Sequence, residues 1–367
     1  MRFIILFLII AFATGRPGLA QEEMPLDGGP FDMVFTEIAP GVITGIRPYY
    51  WRTPVAGAST IIIGENEVLL FDSPGSREGV RQVVQKIREL TDKPLTFVLV
   101  SHGHDDHTRG LVALKEAYPA VKFVSHPLTR DYIEDQVMAR TARILERWPV
   151  FLATFKSDLE SGIDSGSGEP LSEGACIDYS QTLHDADVIM ADLAQSMPLS
   201  PDILIENSIV FDLGNRIVRF EHIGFGNTDS DLIAYLPGEK ILLVGDIINH
   251  PIPFGFPFKP RQLVITLKVL LDYDFEILVP GHGDILYDRV FSDKVIELFI
   301  YVNWQVDEMV EQGMTYEQIQ ESFDWKDYAE SFSGGDPVNE YLFDGWFQGP
   351  SLDRSFKERT ALDEAKE

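Results

Sequence analysis

The sequence predicts a protein of the α/β class, and three observations support this prediction. The chain has 367 residues, of which 45% are hydrophobic, so it can bury a substantial core. Short apolar runs bounded by turn residues recur along the chain and indicate strands. Segments with apolar residues at helical spacing lie between these runs, and such alternation is typical of sheets flanked by helices.

The predicted strands fall into two groups along the chain. In the first group, short apolar runs predict strands at residues 41–46, 60–63, 68–71 and 97–100. In the second group, similar runs predict strands at residues 209–211, 217–220, 232–236, 241–244 and 275–279. The two groups are therefore expected to form the sheet structure of the fold.

Several segments are predicted to be helices because their apolar residues repeat with helical spacing. Residues 77–90 carry one such apolar stripe, and residues 261–271 carry another. A longer amphipathic stretch covers residues 127–148, where Pro127 suits a first helical turn and Pro149 is expected to end the helix. The chain beyond residue 288 is helical to about residue 313.

Residues 157–200 interrupt this pattern. Their first part is polar and rich in glycine, and the helix signals that follow are weak, so we expect an irregular, partly mobile insertion. No linker sets off a second folding unit. We predict one hydrolase domain over residues 21–287, with this insertion, and a helical extension over residues 288–367.

The first residues have the features of a signal peptide. Arg2 precedes an apolar run at residues 3–13 that is too short to span a bilayer. Small residues at Gly18 and Ala20 favour cleavage before Gln21, with cleavage after Ala13 as the alternative. We therefore expect residues 1–20 to be removed, leaving a periplasmic or secreted protein without a stable membrane anchor.

Charge and cysteine content exclude several classes of function. With 30 Lys+Arg against 58 Asp+Glu, the formal net charge is -28, which opposes binding to nucleic acid or to anionic membranes. The single Cys176 excludes an internal disulfide framework and any CxxC metal or redox pair. A small molecule is therefore the expected partner, and the sequence does not predict the oligomeric state.

A dense group of metal-ligand residues follows the strand predicted at residues 97–100. Residues 101–107 read Ser-His-Gly-His-Asp-Asp-His, although the whole chain has only 8 His. Imidazole and carboxylate groups are the ligands of a borderline metal such as zinc. His102 and His104 can converge on one ion, while Asp106 and His107 face a second position beside it, as in two-metal hydrolytic sites.

Four further segments stand in a recognisable order with this His-x-His-x-Asp-His motif, one before it and three after it. Asp72 ends a predicted strand, residues 224–231 read Gly-Phe-Gly-Asn-Thr-Asp-Ser-Asp, residues 244–246 read Val-Gly-Asp, and residues 280–283 read Pro-Gly-His-Gly. Together these motifs resemble the metallo-β-lactamase fold superfamily, over about residues 33–287. The resemblance implies a four-layer αβ/βα sandwich, here with extra C-terminal helices.

The resemblance also implies roles for individual residues. Asp246 corresponds to the aspartate that bridges two metals, and His282 to the histidine that completes the second site. The second site would then consist of Asp106, His107, Asp246 and His282. Asp72 and Ser101 are candidates for holding the histidine tautomers.

The sequence departs from the family pattern at Asn227, which stands where the third histidine of the first metal is expected. The chain thus resembles a branch with Gly-Asn-Thr in place of Gly-His-Thr. Because an amide oxygen binds zinc less well than imidazole, His102 and His104 would be the two good ligands of the first site. Three outcomes stay open: a weakened dinuclear site, a mononuclear second site, or replacement of the ligand by water or by His222.

Three other histidines have weaker signals. His222 is expected to be a buried, hydrogen-bonded core residue, and His126 is expected at a helix start. His250, just past Asp246, is placed to line the pocket, although a structural role in its loop is equally expected.

The expected activity is hydrolysis. A bound zinc ion lowers the pKa of its water and provides hydroxide near neutral pH, so a small ester, lactone, thioester or amide is the expected substrate, with Asp106 and Asp246 as ligands or proton acceptors. One or two zinc ions are the implied cofactor. No Gly-x-Ser-x-Gly nucleophile motif competes.

Alternatives remain in other classes. A β-lactamase proper resembles the chain less, because those enzymes generally carry Cys or Ser in place of Asp246. A mononuclear iron oxidoreductase is disfavoured, because its metal uses the histidine that Asn227 replaces. A non-catalytic metal-binding member of the fold is the third alternative.

Overall fold

The computed structural model describes residues 28–257 and 259–364. The predicted signal peptide, residues 1–20, lies outside the described residues, and its cleavage remains a prediction. In the described part of the chain, no helix is both long and apolar enough to cross a membrane.

The first sheet has seven described strands, and their order across the sheet follows the chain. The first four strands pair antiparallel, and the fourth to the seventh pair in parallel. The strands are β1 (Val34–Ala39), β2 (Val42–Ile46), β3 (Ser59–Ile63), β4 (Val68–Phe71), β5 (Leu95–Leu99), β6 (Lys122–Ser125) and β7 (Ile203–Leu204).

The second sheet has five described strands, in which the last two pair in parallel and the others pair antiparallel. The order across the sheet is the reverse of the chain order. The strands are β8 (Ser208–Asp212), β9 (Ile217–His222), β10 (Leu232–Leu236), β11 (Ile241–Leu243) and β12 (Ile277–Val279).

Helices cover the outer faces of both sheets. Those in the first half of the described chain are α1 (Arg77–Leu90), α2 (Asp105–Thr108), α3 (Leu111–Ala117), α4 (Pro127–Tyr132), α5 (Met138–Ser161) and α6 (Glu173–Leu193). Those in the second half are α7 (Pro260–Leu271), α8 (Val290–Glu311), α9 (Tyr316–Ser322), α10 (Lys326–Ser333), α11 (Pro337–Leu342) and α12 (Gly349–Glu364).

Three apolar cores lie between four layers, which confirms the predicted sandwich. One core fills the space between the sheets and includes Phe71 from the first and Phe220 from the second, whose rings lie 6.3 Å apart. A second core packs α1 and α3 on the first sheet. The third packs the second sheet against α7, α8 and the C-terminal helices. Burial of these apolar surfaces is the main force holding the layers together.

The predicted helix end at Pro149 is wrong. The segment forms α4, one wide turn at Ile133–Val137 with π-type hydrogen bonding, and then α5, which continues through Pro149 to Ser161. A proline removes one backbone donor from a helix. Here α5 packs along α6, with the rings of Phe155 and Tyr179 stacked at 4.2 Å, and this packing offsets the loss.

The prediction of weak helix formation after residue 168 is also wrong, because Glu173–Leu193 forms the long helix α6. Its buried face is partly polar, which hides the helical spacing of apolar residues. Asp185 on this face makes a buried ion pair with Arg52 at 2.7 Å, and Asp192 accepts hydrogen bonds from the first backbone amides of α1. Ion pairs and hydrogen bonds thus help to hold α6 against its neighbours, a role that apolar contacts usually have.

The other predicted strands and helices are confirmed, with ends that differ by a few residues. Three strands, β1, β6 and β7, were not predicted. β1 lies at a sheet edge with no fully buried residue, so its sequence lacks a continuous apolar run.

Candidate metal centre

The ends of four strands bring the motif residues to one edge of the two sheets. Asp72 follows β4, residues 101–107 follow β5, Asp246 follows β11 and His282 follows β12. Asn227 lies in the loop between β9 and β10. Because carboxyl ends of parallel neighbours point to the same edge, residues distant in the sequence meet there.

The first cluster consists of His102, His104 and Asp246, whose candidate ligand atoms all lie within 4.8 Å of one another. Nε2 of His102 lies 3.0 Å from Nδ1 of His104 and 3.4 Å from Oδ2 of Asp246. The His102 side chain is fully buried, whereas that of His104 is 26% exposed. The cluster therefore opens to solvent on the His104 side.

The second cluster consists of Asp106, His107, Asp246 and His282. Nε2 of His107 lies 3.1 Å from Oδ1 of Asp246, and Nε2 of His282 lies 3.0 Å from Oδ2 of Asp106. Asp246 contributes one carboxylate oxygen to each cluster. The two predicted ligand groups thus form in the structure, with Asp246 shared between them.

Asp72 sets the tautomers of two histidines. Its carboxylate accepts hydrogen bonds from the Ser101 backbone and hydroxyl, both at 2.7 Å, and from Nδ1 of His107 at 2.9 Å. Since the Ser101 hydroxyl donates to Asp72, its oxygen accepts from Nδ1 of His102 at 3.0 Å. In their neutral form both imidazoles are thus protonated at Nδ1 and have a free lone pair on Nε2, which is the form that binds a metal.

Asn227 faces the first cluster. Its amide Nδ2 donates to Oδ2 of Asp246 at 3.1 Å and lies 3.2 Å from Nδ1 of His104, while its Oδ1 is buried without a hydrogen-bond partner among the described residues. The loop is held by Asp231, whose carboxylate accepts from the backbone amides of Asn227 and Thr228. The amide thus takes the place predicted for a ligand.

Electrostatic conditions in the second cluster favour positive charge. Burial opposes protonation of the His282 imidazole, but the carboxylates of Asp246 and Asp106 outweigh it and raise the pKa of His282 to about 9. Burial likewise opposes the charge of the Asp106 carboxylate, but His107 and His282 lower its pKa below the usual range. A cation among these groups would be stabilised by the same carboxylates.

The residues present fit a divalent metal ion. Nε2 of His107, Nε2 of His282 and Oδ1 of Asp246 are buried and lack hydrogen-bond partners within the described residues. Buried polar atoms left without partners are costly, so such a set needs an explanation. Imidazole and carboxylate donors of this kind suit zinc and similar ions, and a metal bound to them would supply the missing partners.

A close approach of the backbone at Gly57 shapes the second cluster. A Cβ on this residue would lie 2.3 Å from Cε1 of His107. The Gly57 amide donates to the carbonyl oxygen of Asp106 at 3.2 Å, and the next amide, of Ala58, donates to Gly281 at 2.7 Å. The loop before β3 therefore joins two of the ligand segments and presses on His107.

A cavity of about 770 Å³ lies over the two clusters, a volume that suits a small organic molecule. His104, Asp106, Asn227 and Asp246 reach it from the clusters. The rest of the wall combines aromatic rings and basic groups, among them Tyr132, Phe225, Phe254, Phe256 and Trp346, and Arg109, Arg140, Lys259 and Arg354.

The structure places the remaining predicted histidines away from the cavity. His250, predicted to line the pocket, is not among the lining residues; its ring packs on Phe291 at 4.7 Å. His222 hydrogen-bonds the Asp231 carbonyl at 3.0 Å and is only half-buried, so it does not replace the missing ligand of the first cluster. His126 begins α4, as predicted.

The aromatic and basic residues of the cavity wall were not predicted from the sequence. Phe225 lies within the motif at residues 224–231, and Phe254 follows the motif at residues 244–246, so their positions in the sequence are the signal that could have found them. Arg140 and Trp346 come from α5 and from the turn before α12, which carry no motif. Only the packing of these helices brings them to the site.

Comparison with known proteins matches residues 52–282 of the chain to the metallo-beta-lactamase superfamily. The chain is also 22% identical over 320 residues to the linear primary-alkylsulfatase of Pseudomonas sp. (strain ATCC 19151), covering 78% of this chain and 55% of that protein. It thus spans about half the length of that relative.

Two solved structures are similar in fold. The sec-alkylsulfatase Pisa1 from Pseudomonas sp. matches with a TM-score of 0.59 at 14% identity, covering 89% of this chain and 50% of that one. A metallo-beta-lactamase from Pontibacter korlensis matches with a TM-score of 0.50 at 15% identity, covering 73% of this chain and 99% of that one. At these identities the similarity shows the fold alone.

Proposed function

The chain belongs to the metallo-β-lactamase superfamily, and from this premise we propose that it is a metal-dependent hydrolase of a small organic molecule. The observation that carries the proposal is the pair of ligand clusters sharing Asp246 at one side of a cavity. The proposed metal is zinc, because the donors are imidazole and carboxylate.

The protein's own groups would perform several tasks in this reaction. A divalent metal ion in such a site supplies Lewis acidity and activates water. His107 and His282 hold their Nε2 atoms toward the second cluster, and Asp72 keeps the first of these in the binding tautomer. The lowered pKa of Asp106 keeps its carboxylate ionised, which is the form that a metal ligand needs, and its side chain is 16% exposed toward the cavity.

The proposed bond is that of an ester, lactone, thioester or amide. A sulfate ester is a second candidate, since the relative covering 78% of this chain is an alkylsulfatase and the cavity wall carries basic side chains. A β-lactam is the third candidate, with only a likeness of fold in its support.

Metal content and hydrolysis test this proposal together. We expect purified protein to contain zinc, and His282→Ala and Asp106→Ala each to lower metal content and to reduce turnover by about a hundredfold or more. The substrate panel contains a 4-nitrophenyl ester, a thioester, a lactone, 4-nitrophenyl sulfate and nitrocefin.

The matched control is His184→Ala, which removes an exposed histidine on α6. It should leave metal content and rate unchanged. A His282→Ala variant that kept full metal content and full rate would remove the basis of the proposal. Metal binding without hydrolysis of any panel member would favour a non-catalytic metal-binding protein.

We also propose that the mature protein is exported, on the support of the apolar run at residues 3–13 and the Gly18-Leu19-Ala20 sequence. Intact mass of the protein from its native compartment should correspond to a chain that starts at Gln21. A full-length chain found in the cytoplasm would contradict export.

A further inference from the structure

The composition of the cavity wall differs from that of the whole protein. The chain carries 30 Lys+Arg against 58 Asp+Glu. Around the cavity, four basic residues face four carboxylates, and two of those carboxylates, Asp106 and Asp246, belong to the ligand clusters. Away from the clusters, the wall therefore has an excess of positive groups, which attract an anion.

Three of the four cations lie beside an acid: Arg140 and Arg109 beside Asp105, and Arg354 beside Asp353, with its Nε 4.0 Å from Oδ2. The guanidinium of Arg140 hydrogen-bonds the carboxylate of Asp105, so its charge is largely offset. Arg109 donates through Nε to the carbonyl oxygen of Asp105 at 3.2 Å. These contacts order one side of the cavity.

Lys259 differs from these residues. It is exposed immediately before α7, as the N-cap residue of that helix, and among the described residues its ammonium forms no ion pair and no hydrogen bond. Its Nζ lies 3.9 Å from the centre of the Phe225 ring. A cation held over an aromatic face stays oriented without losing its charge to a carboxylate, so Lys259 is available to a ligand.

An apolar surface lies within the same cavity. The ring of Phe254 lies 5.3 Å from that of Trp346 and 5.5 Å from that of His282, and Phe256 beside it is 41% exposed. These aromatic groups form a wall that runs from the second cluster toward solvent. An apolar ligand body would gain by covering it.

We propose that the substrate is an amphiphilic anion, whose negative group binds Lys259 and whose apolar body covers Phe254 and Trp346. Lys259 is thus a specificity-determining residue, and Phe225 positions it. This inference rests on the proposed function, since it describes the substrate of the same site. The anion is either a carboxylate apart from the bond that is cleaved or the sulfate of a sulfate ester.

Binding of matched probes to the zinc-loaded protein tests the inference without turnover. The probes are 4-phenylbutyrate, its neutral amide, and octyl sulfate, each titrated by calorimetry. We expect both anions to bind more tightly than the amide. Lys259→Gln should weaken both anions by about tenfold and leave the amide unchanged, because it removes one charge-assisted contact.

Two further variants keep the test independent of folding. Lys259→Arg retains the charge and should retain most of the preference for anions. Lys268→Gln removes an exposed lysine on the same helix and should change nothing. Equal affinity for 4-phenylbutyrate and its amide would overturn the inference, as would anion binding that Lys259→Gln leaves intact, since the anion would then lie on the metal.

Turnover of two anionic substrates, a carboxylate-bearing ester and octyl sulfate, shows which kind of anion the site takes. The same measurements tell a failure of this inference from a failure of the proposed function. If Lys259→Gln hydrolyses only one of these substrates more slowly than wild type does, that substrate carries the type of anionic group that Lys259 binds. If neither is hydrolysed while the anion preference persists, the proposed function fails and the binding inference stands. If neutral and anionic esters are cleaved with equal kcat/KM, the binding inference alone fails.

Discussion

At the scale of single residues, Asn227 distinguishes this site from the family pattern. Its amide donates to Asp246 and lies beside His104, so it occupies a position from which an imidazole could reach the first cluster. As placed, the amide presents hydrogen-bond donors where a ligand would present a lone pair. We infer that the first cluster holds zinc more weakly than the second.

Replacing this amide by imidazole gives the first prediction. Asn227→His should raise zinc affinity at the first cluster by about tenfold or more and move the protein toward two bound ions, because it adds a third good ligand to His102 and His104. Calorimetric titration of zinc measures both affinity and stoichiometry. Turnover is a separate matter, since tighter binding of a metal does not by itself stabilise a transition state.

The control for this prediction is Asn215→His, at an exposed position far from the strand ends that form the site. It should leave both quantities at their wild-type values. If Asn227→His also left them unchanged, the amide would not stand at a ligand position, and the correspondence of residues 224–231 with the family motif would have to be abandoned.

At the scale of elements, the loop that precedes β3 holds the ligand segments together. Gly57 has no side chain, so the backbone can pass directly against the ring of His107. Consecutive amides of this loop bind the Asp106 and Gly281 carbonyls. A glycine at this position therefore serves packing against a ligand rather than a special backbone conformation.

The second prediction follows from this contact. Gly57→Ala should displace the His107 ring, lower zinc affinity by about tenfold or more, and lower the free energy of unfolding by about 1–3 kcal/mol. Competition with a chelator gives the affinity, and urea unfolding gives the stability. Gly238→Ala is the matched control, because a Cβ there meets no atom within 4 Å. Equal behaviour of the two variants would show that the loop does not constrain His107.

At the scale of the whole molecule, α6 connects the site-bearing layers to the C-terminal helices. Asp192 holds the start of α1, and Asp185 holds Arg52 in the loop before β3. On another side, Gly174 lies against Pro337 and Tyr341 of α11, where a Cβ would come within 2.1 Å of the Pro337 carbonyl oxygen. The C-terminal helices are thus part of the same packed structure.

A titratable group in this region gives the third prediction. Burial raises the pKa of Asp178, on α6, to about 7, and a hydrogen bond from Thr182 offsets only part of this rise. Its Oδ1 has no hydrogen-bond partner within the described residues. The unfolded chain loses this proton near pH 4, at about the ordinary pKa of aspartate. From there to about pH 7, the folded state binds more protons, so the free energy of unfolding falls as pH rises.

Asp178→Asn should remove this dependence. At about pH 8, where the penalty is complete, the variant should be more stable than the wild type by about 1–3 kcal/mol, and the gain should shrink toward about pH 5. Urea unfolding at both pH values measures it. Asp187→Asn, at an exposed position of the same helix, is the control. A gain of the same size at both pH values would mean that Asp178 ionises as it does in the unfolded chain.

The sequence by itself determined the class of fold and the candidate ligand residues that the structure brings together. Apolar runs identify most strands because burial of a strand requires them. The motif at residues 101–107 indicates a candidate metal site because its side chains share one chemistry. Asn227 was recognisable as a departure for the same reason. These features are local, so short stretches of sequence carry them.

Only the tertiary structure decided what surrounds those ligands. The helix α6 was missed because its buried face carries Asp185 and Asp192, whose partners Arg52 and the start of α1 lie far away in the sequence. The cavity wall was missed because Lys259 acquires its position over Phe225 through the packing of α7 beside the loop after β9. Long-range contacts of polar and aromatic groups have no period along the chain, so no local pattern reports them.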